Sequence, residues 1–100
     1  MITGKQRATL RSMANTIQPI FQIGKGGLTP ALTQQLDDAL EARELIKIKL
    51  LETAEETPKE AAEIICRETG AQSVQIIGSK IVLYREASKE EKRKVELRSK

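Results

Sequence analysis

One short stretch, Ile23-Gly24-Lys25-Gly26-Gly27-Leu28-Thr29-Pro30, concentrates the residue types that can hold an anion. Glycines let the backbone turn through positive φ and leave N–H groups that no side chain shields. Lys25 adds a positive charge. Thr29 is a good helix N-cap and Pro30 suits the first helical position, so a helix should follow, bringing unpaired N–H groups and the positive end of its dipole. The spacing therefore predicts a small positive hollow for phosphate, with Gly24, Lys25, Gly26, Gly27 and Thr29 as its candidate residues.

Other glycine motifs are excluded by their own requirements. A Walker A loop needs a terminal Gly-Lys-Ser/Thr, and a dinucleotide fingerprint needs G-x-G-x-x-G; neither is present. The nearest physical counterpart is the G-x-x-G loop with which KH domains clamp a nucleic-acid backbone, a likeness of contact mode only. Catalysis has little to work with. The chain contains no histidine and one cysteine. Cys66 falls on the apolar face of a predicted helix, as a small core residue would, and it lacks the usual base. No ligand cluster suggests a metal, and no cofactor is expected; the reading is of a binding protein, not an enzyme.

The loop has to be positioned by its neighbours. Thr3-Gly4-Lys5-Gln6 reads as a capping box, and Leu10, Met13, Ala14 and Ile17 recur at helical spacing, so a first helix is expected from about Gly4 to Asn15. Arg7 and Arg11 flank that stripe one turn apart and are candidates to carry phosphates beside the loop. Pro19 opens a strand into the loop, and a second helix should occupy about 30–43. Its Leu32, Leu36, Ala39 and Leu40 face inward, while Asp37, Asp38 and Glu41 form a solvated face. Glu44 to Leu51 alternates with period two: Ile46, Ile48 and Leu50 point one way, and Lys47 and Lys49, further candidate contacts, the other. Thr57-Pro58-Lys59-Glu60 starts a third helix over about 58–69, which Gly70 ends. Two apolar runs, Ser73 to Ile77 and Ile81 to Tyr84, flank Gly78-Ser79-Lys80, read as a three-residue hairpin turn. The elements run α-β-α-β-α-β-β in a single layered α/β domain with a mixed, four-stranded sheet.

Charge is distributed unevenly. The formal net charge is +3. Residues 1–36 carry Lys5, Arg7, Arg11 and Lys25 and no acid; residues 37–68 hold ten acids against five bases; residues 85–100 hold seven bases against four acids. A basic beginning and end suit a polyanion. Phe21 and Tyr84 are the only aromatics, too few for base stacking to carry single-strand recognition, so contacts should fall on backbone and shape. No apolar run reaches transmembrane length and no signal-peptide pattern opens the chain. A cytoplasmic protein with neither a membrane partner nor a small-molecule substrate is expected.

The stretch from Thr3 to Arg85 resembles a stand-alone CRM domain (chloroplast RNA splicing and ribosome maturation) of the bacterial YhbY type. The matching pieces are the Thr-x-x-Gln opening, Pro19, Gly24-Lys25-Gly26-Gly27 with Leu28-Thr29, Glu44-Leu45-Ile46-Lys47-Ile48-Lys49, Glu68-Thr69-Gly70-Ala71, Val74-Gln75-Ile76-Ile77-Gly78 and Val82-Leu83-Tyr84-Arg85. The resemblance implies a fold similar to the C-terminal domain of bacterial translation initiation factor three. It also implies an RNA-binding protein that contacts 23S precursor rRNA during assembly of the large (50S) subunit, with ribosomal proteins as further partners and the functional loop on Gly24 to Gly27. Residues 1–85 would be this domain and 86–100 a charged basic tail. The alternatives are a protein-interaction adaptor on pre-ribosomal particles and an intron-splicing factor.

Overall fold

The computed structural model describes residues 2–88. Three helices and four strands follow one another as α1 (Gly4–Ala14), β1 (Phe21–Ile23), α2 (Pro30–Arg43), β2 (Leu45–Leu50), α3 (Pro58–Thr69), β3 (Gln72–Ile77) and β4 (Lys80–Tyr84). Each helix starts where its local chemistry demands. The Thr3 hydroxyl accepts the Gln6 N–H at 3.1 Å, and the Gln6 side chain accepts the Thr3 N–H at 2.9 Å. Thr57 and Glu60 repeat the arrangement at α3. The bonds from Thr57, that from its backbone first, hold the Glu60 carboxyl below the usual carboxylate range. Gly70, at φ 77°, stops α3 in the left-handed conformation that glycine adopts without strain.

The sheet has the order β1-β2-β4-β3. β1 and β2 pair in parallel through the α2 crossover, whereas β4 is antiparallel to both β2 and β3. The final strand thus inserts between the two that α3 connects, and the second βαβ unit is split. The hairpin is tighter than a three-residue turn: Ile77 pairs with Lys80, leaving only Gly78 and Ser79 between the strands. Gly78 has φ 57° and Ser79 has no positive φ, which fits a type II′ turn with glycine at its first central position.

Two apolar clusters sandwich the sheet. On one face Ile23, Ile46, Ile48, Leu50, Ile81 and Leu83 pack under Leu36 and Leu40 of α2 and Ala61, Ala62 and Ile65 of α3. On the other, Leu10 and Ala14 of α1 cover Leu45, Val74, Val82 and Tyr84. α1 contacts β2, β3 and β4 at this end of the sheet only, and the rest of that face is left without a helix.

Cys66 lies partly buried against the first cluster. Burial raises its thiol above the ordinary range, more than a backbone hydrogen bond with Ser73 lowers it. Less thiolate forms at any given pH. Iodoacetamide at pH 8 should therefore label native protein more slowly than protein in urea; equal rates would show an open thiol.

The segment after β4 returns to α2. The Arg85 guanidinium pairs with Asp37, donates to the Thr69 carbonyl at 2.8 Å and lies 3.5 Å from Glu41. Ser88 donates to Glu41 and the Ala87 N–H to Glu44 at 2.8 Å. Asp37 and Glu41 hold this segment, so they do not form a merely solvated face. Ala87 is 1% exposed, and the packed body extends beyond Arg85. The expected charged tail lies, from residue 89 onward, outside the described residues.

Candidate nucleic-acid interface

The loop leaves the sheet at the end that α1 does not cover. Gly24 directly follows Ile23, which pairs with Leu50. The Gly27 N–H donates to the Gly24 carbonyl at 2.9 Å, closing a turn with Lys25 and Gly26 at its corners. Gly26 has φ 97°, as the third residue of a type II turn requires, and Gly27 has φ 62°. Lys25 and Gly26 are exposed, and a Cβ on Gly26 would meet only open space.

The hollow is smaller and less positive than the sequence predicts. Gly27 spends its N–H within the turn. Thr29 caps α2 by accepting the Leu32 N–H at 3.1 Å, and its carbonyl accepts the Thr33 N–H. Pro30 has no N–H to offer, so the first turn of α2 retains Ala31 as its open donor among the described residues. The Leu28 N–H points at the Glu56 carboxylate, 3.5 Å away, and that carboxylate covers Gly27. Within the turn itself, the open donors among the described residues are the N–H groups of Lys25 and Gly26 together with the Lys25 ammonium. Nothing local forewarned of Glu56, which meets the loop from the β2–α3 connection.

The strand register brings the lysines together. Lys49 pairs across the sheet with Lys80 on one side and with Gln22 on the other, and Lys47 pairs with Val82. Opposed residues share a face, so Lys47, Lys49 and Lys80 all lie on the α1 side of the sheet, Lys47 beside Val82 at the edge of the part that α1 covers and Lys49 and Lys80 beyond it. None of the three makes an ion pair among the described residues. Like charges directly opposite each other destabilise a sheet, and an anion above Lys49 and Lys80 would relieve this pair. Assigning Lys80 to the turn hides it. Placed in β4, period two puts it on the face of Val82 and Tyr84.

The two arginines separate. The Arg7 guanidinium donates to the carbonyls of Ser73 and, at 3.0 Å, Val74, where a bulge interrupts β3. It ties α1 to the edge strand farthest from β1 and the loop, and is not brought together with Lys25. Arg11 is exposed on the last turn of α1, on the same side of the sheet as the lysines.

A groove of about 510 Å³ between α2 and α3 also begins at Leu28 and Thr29, but it runs to Asp37 and Glu68. Acids at its far end make it unsuitable for a polyanion. The sheet face is the electropositive continuation of the loop. Among the described residues no group of three or more His, Cys, Asp or Glu could hold a metal ion, and no helix is long and apolar enough to cross a membrane.

Comparison with known proteins identifies the family. The family model for the CRS1/YhbY (CRM) domain matches residues 2–85. The chain belongs to the CRM domain family. It is 50% identical over 92 residues to the probable RNA-binding protein YqeI of Bacillus subtilis, covering 92% of this chain and 95% of that protein. An RNA-binding protein of Haemophilus influenzae is 37% identical over 84 residues, covering 84% and 85% of the two chains. The solution structure of SAV1595 from Staphylococcus aureus, described as a candidate RNA-binding protein, superposes with a TM-score of 0.77 at 47% identity. It covers 96% of this chain and all of that one. The order α-β-α-β-α-β-β with a mixed four-stranded sheet, read from the residue patterns, is the fold observed.

Proposed function

We propose that this CRM domain is a cytoplasmic protein that binds structured rRNA of the large-subunit precursor. It grips the sugar-phosphate backbone at the open end of its sheet. The observation that carries this reading is the meeting of the Gly24–Gly27 turn with Lys47, Lys49 and Lys80. The turn leaves β1 one residue past the row formed by Gln22, Lys49 and Lys80. Lys25 and the N–H groups of Lys25 and Gly26 would take one phosphate, with Thr29 fixing the helix behind them. The sheet lysines would take phosphates along the same strand, and Arg11 would extend the basic side. Arg7, engaged with β3, serves the fold. Such contacts position a protein on RNA and select shape over sequence.

The test is ultraviolet crosslinking in cells, with sequencing of the attached RNA and mapping of the attached peptide. Reads on 23S precursor joined to the peptide containing residues 24–29 or to those containing Lys49 and Lys80 are expected. Reads spread over unrelated transcripts would refute the ribosomal role. A second reading, an adaptor that contacts ribosomal proteins on the precursor particle, is favoured by Ile76 and Ile77. These are 40% and 53% exposed on the free edge strand β3. Association with particles that survives nuclease treatment would support it.

A further inference from the structure

The glycine loop already holds an anion. A Cβ built on Gly27 would come within 2.5 Å of Glu56 Oε2 and 2.7 Å of Oε1, so the carboxylate lies directly over the glycine. Oε2 accepts one long bond, 3.5 Å, from the Leu28 N–H. Oε1 is buried and has no hydrogen-bond partner among the described residues. A carboxylate so placed is poorly held, because a buried charged oxygen without a donor forfeits its hydration and receives nothing in return. The connection that carries it is anchored separately. Leu51 and Thr53 pack against Gly24, and the Ala54 N–H bonds the Leu51 carbonyl at 3.0 Å. Rotation of the Glu56 side chain alone can therefore vacate the position.

We propose that Glu56 is the resident anion of the glycine loop and that a phosphodiester of the bound RNA takes its place over Gly27 and Leu28. This deepens the reading of the loop as an RNA contact and rests on it. A phosphate there could accept from the Leu28 N–H, as Glu56 does, and also lies within the field of Lys25, for which Glu56 is a competing counter-charge. A single weak anion has little advantage over a tethered carboxylate. An RNA strand already seated on Lys47, Lys49 and Lys80 presents its next phosphate at high effective concentration and displaces Glu56. Glu56 thereby makes occupation of the loop conditional on engagement of the sheet face, and discriminates against short or unstructured anions.

The experiment is a polarisation titration of the full chain with fluorescein-labelled helical fragments of 23S rRNA, using wild type and the variants E56Q, E56D and E55Q. Glu55 lies in the same connection and is exposed, whereas the three atoms nearest a Cβ on Gly27 all belong to Glu56, so E55Q makes the same change of net charge without removing the carboxylate over the loop. E56Q is expected to tighten binding about fivefold, the scale of one charge interaction near a protein surface, and E55Q to leave it nearly unchanged. E56D keeps the charge but shortens its arm, should also tighten binding, and provides the test if E56Q folds poorly. Equal gains in E55Q and E56Q, or no gain in E56Q and E56D, would overturn the proposal. Insensitivity of wild-type binding to K25A would instead remove the loop as an RNA contact, whatever the Glu56 variants do.

Discussion

Replacing Lys25, Lys47, Lys49 and Lys80 together by alanine is expected to lower affinity for structured RNA by roughly a thousandfold, with the fold intact. At about 1 kcal/mol for each lost phosphate contact the sum is roughly 4 kcal/mol. Salt dependence gives an independent reading. Each neutralised phosphate adds about 0.9 to the slope of log affinity against log salt on a duplex, so four lysines imply a wild-type slope of about −3 to −4. The quadruple variant should flatten it towards zero. Stability should hardly fall, because none of the four lysines makes an ion pair among the described residues, and removing Lys49 and Lys80 relieves a cross-strand repulsion. Thermal melting of the variant checks that premise. A variant that melts like wild type yet keeps the steep salt slope would place the RNA elsewhere on the molecule.

Parts of this surface are legible in the sequence because they are decided within a few residues. Thr3 with Gln6, Thr29 with Pro30, and Thr57 with Glu60 each satisfy a helix start from their own side chains. The period-two alternation from Leu45 to Leu50 likewise fixes which face Lys47 and Lys49 share. What the sequence hides are contacts between distant residues. β4 enters between β2 and β3 because their hydrogen bonds must be satisfied across the sheet, and only that insertion sets Lys80 opposite Lys49. Glu56 reaches Leu28 across 28 residues, and no local pattern distinguishes it from Glu52 or Glu55. Arg7 reads like Arg11 on a helical wheel. The Ser73 and Val74 carbonyls at the β3 bulge accept from Arg7, a contact between residues far apart in the chain. The same applies to Asp37 and Glu41, acids on an amphipathic helix that become partners only once Arg85 arrives from β4.

Arg85→Ala is expected to cost about 2–3 kcal/mol of stability, the scale of losing several charge-assisted hydrogen bonds. For a domain of this size that lowers Tm by roughly 10–20 °C. The Arg85 side chain is 19% exposed and makes three hydrogen bonds to two helices: to the Asp37 carboxylate, to the Asp37 carbonyl at 3.0 Å, and to the Thr69 carbonyl at the end of α3. Asp37 is 41% exposed, so solvent screens its ion pair, and most of the loss should come from the two carbonyls and from packing. Without the guanidinium, Asp37 and Glu41 also become a like-charged pair one turn apart on α2, which repels. Arg85→Lys keeps the charge but not the fork that reaches both helices, and should recover less than half of the difference. Binding separates this role from one in recognition. Arg85 lies on the α2 and α3 side of the sheet, opposite Lys47, Lys49 and Lys80, so Arg85→Ala titrated well below its Tm should bind RNA as wild type does. A variant with normal melting and weakened binding would move Arg85 from the scaffold to the interface. It would also require the RNA to wrap past the acids that line the α2–α3 groove, where electrostatics oppose it.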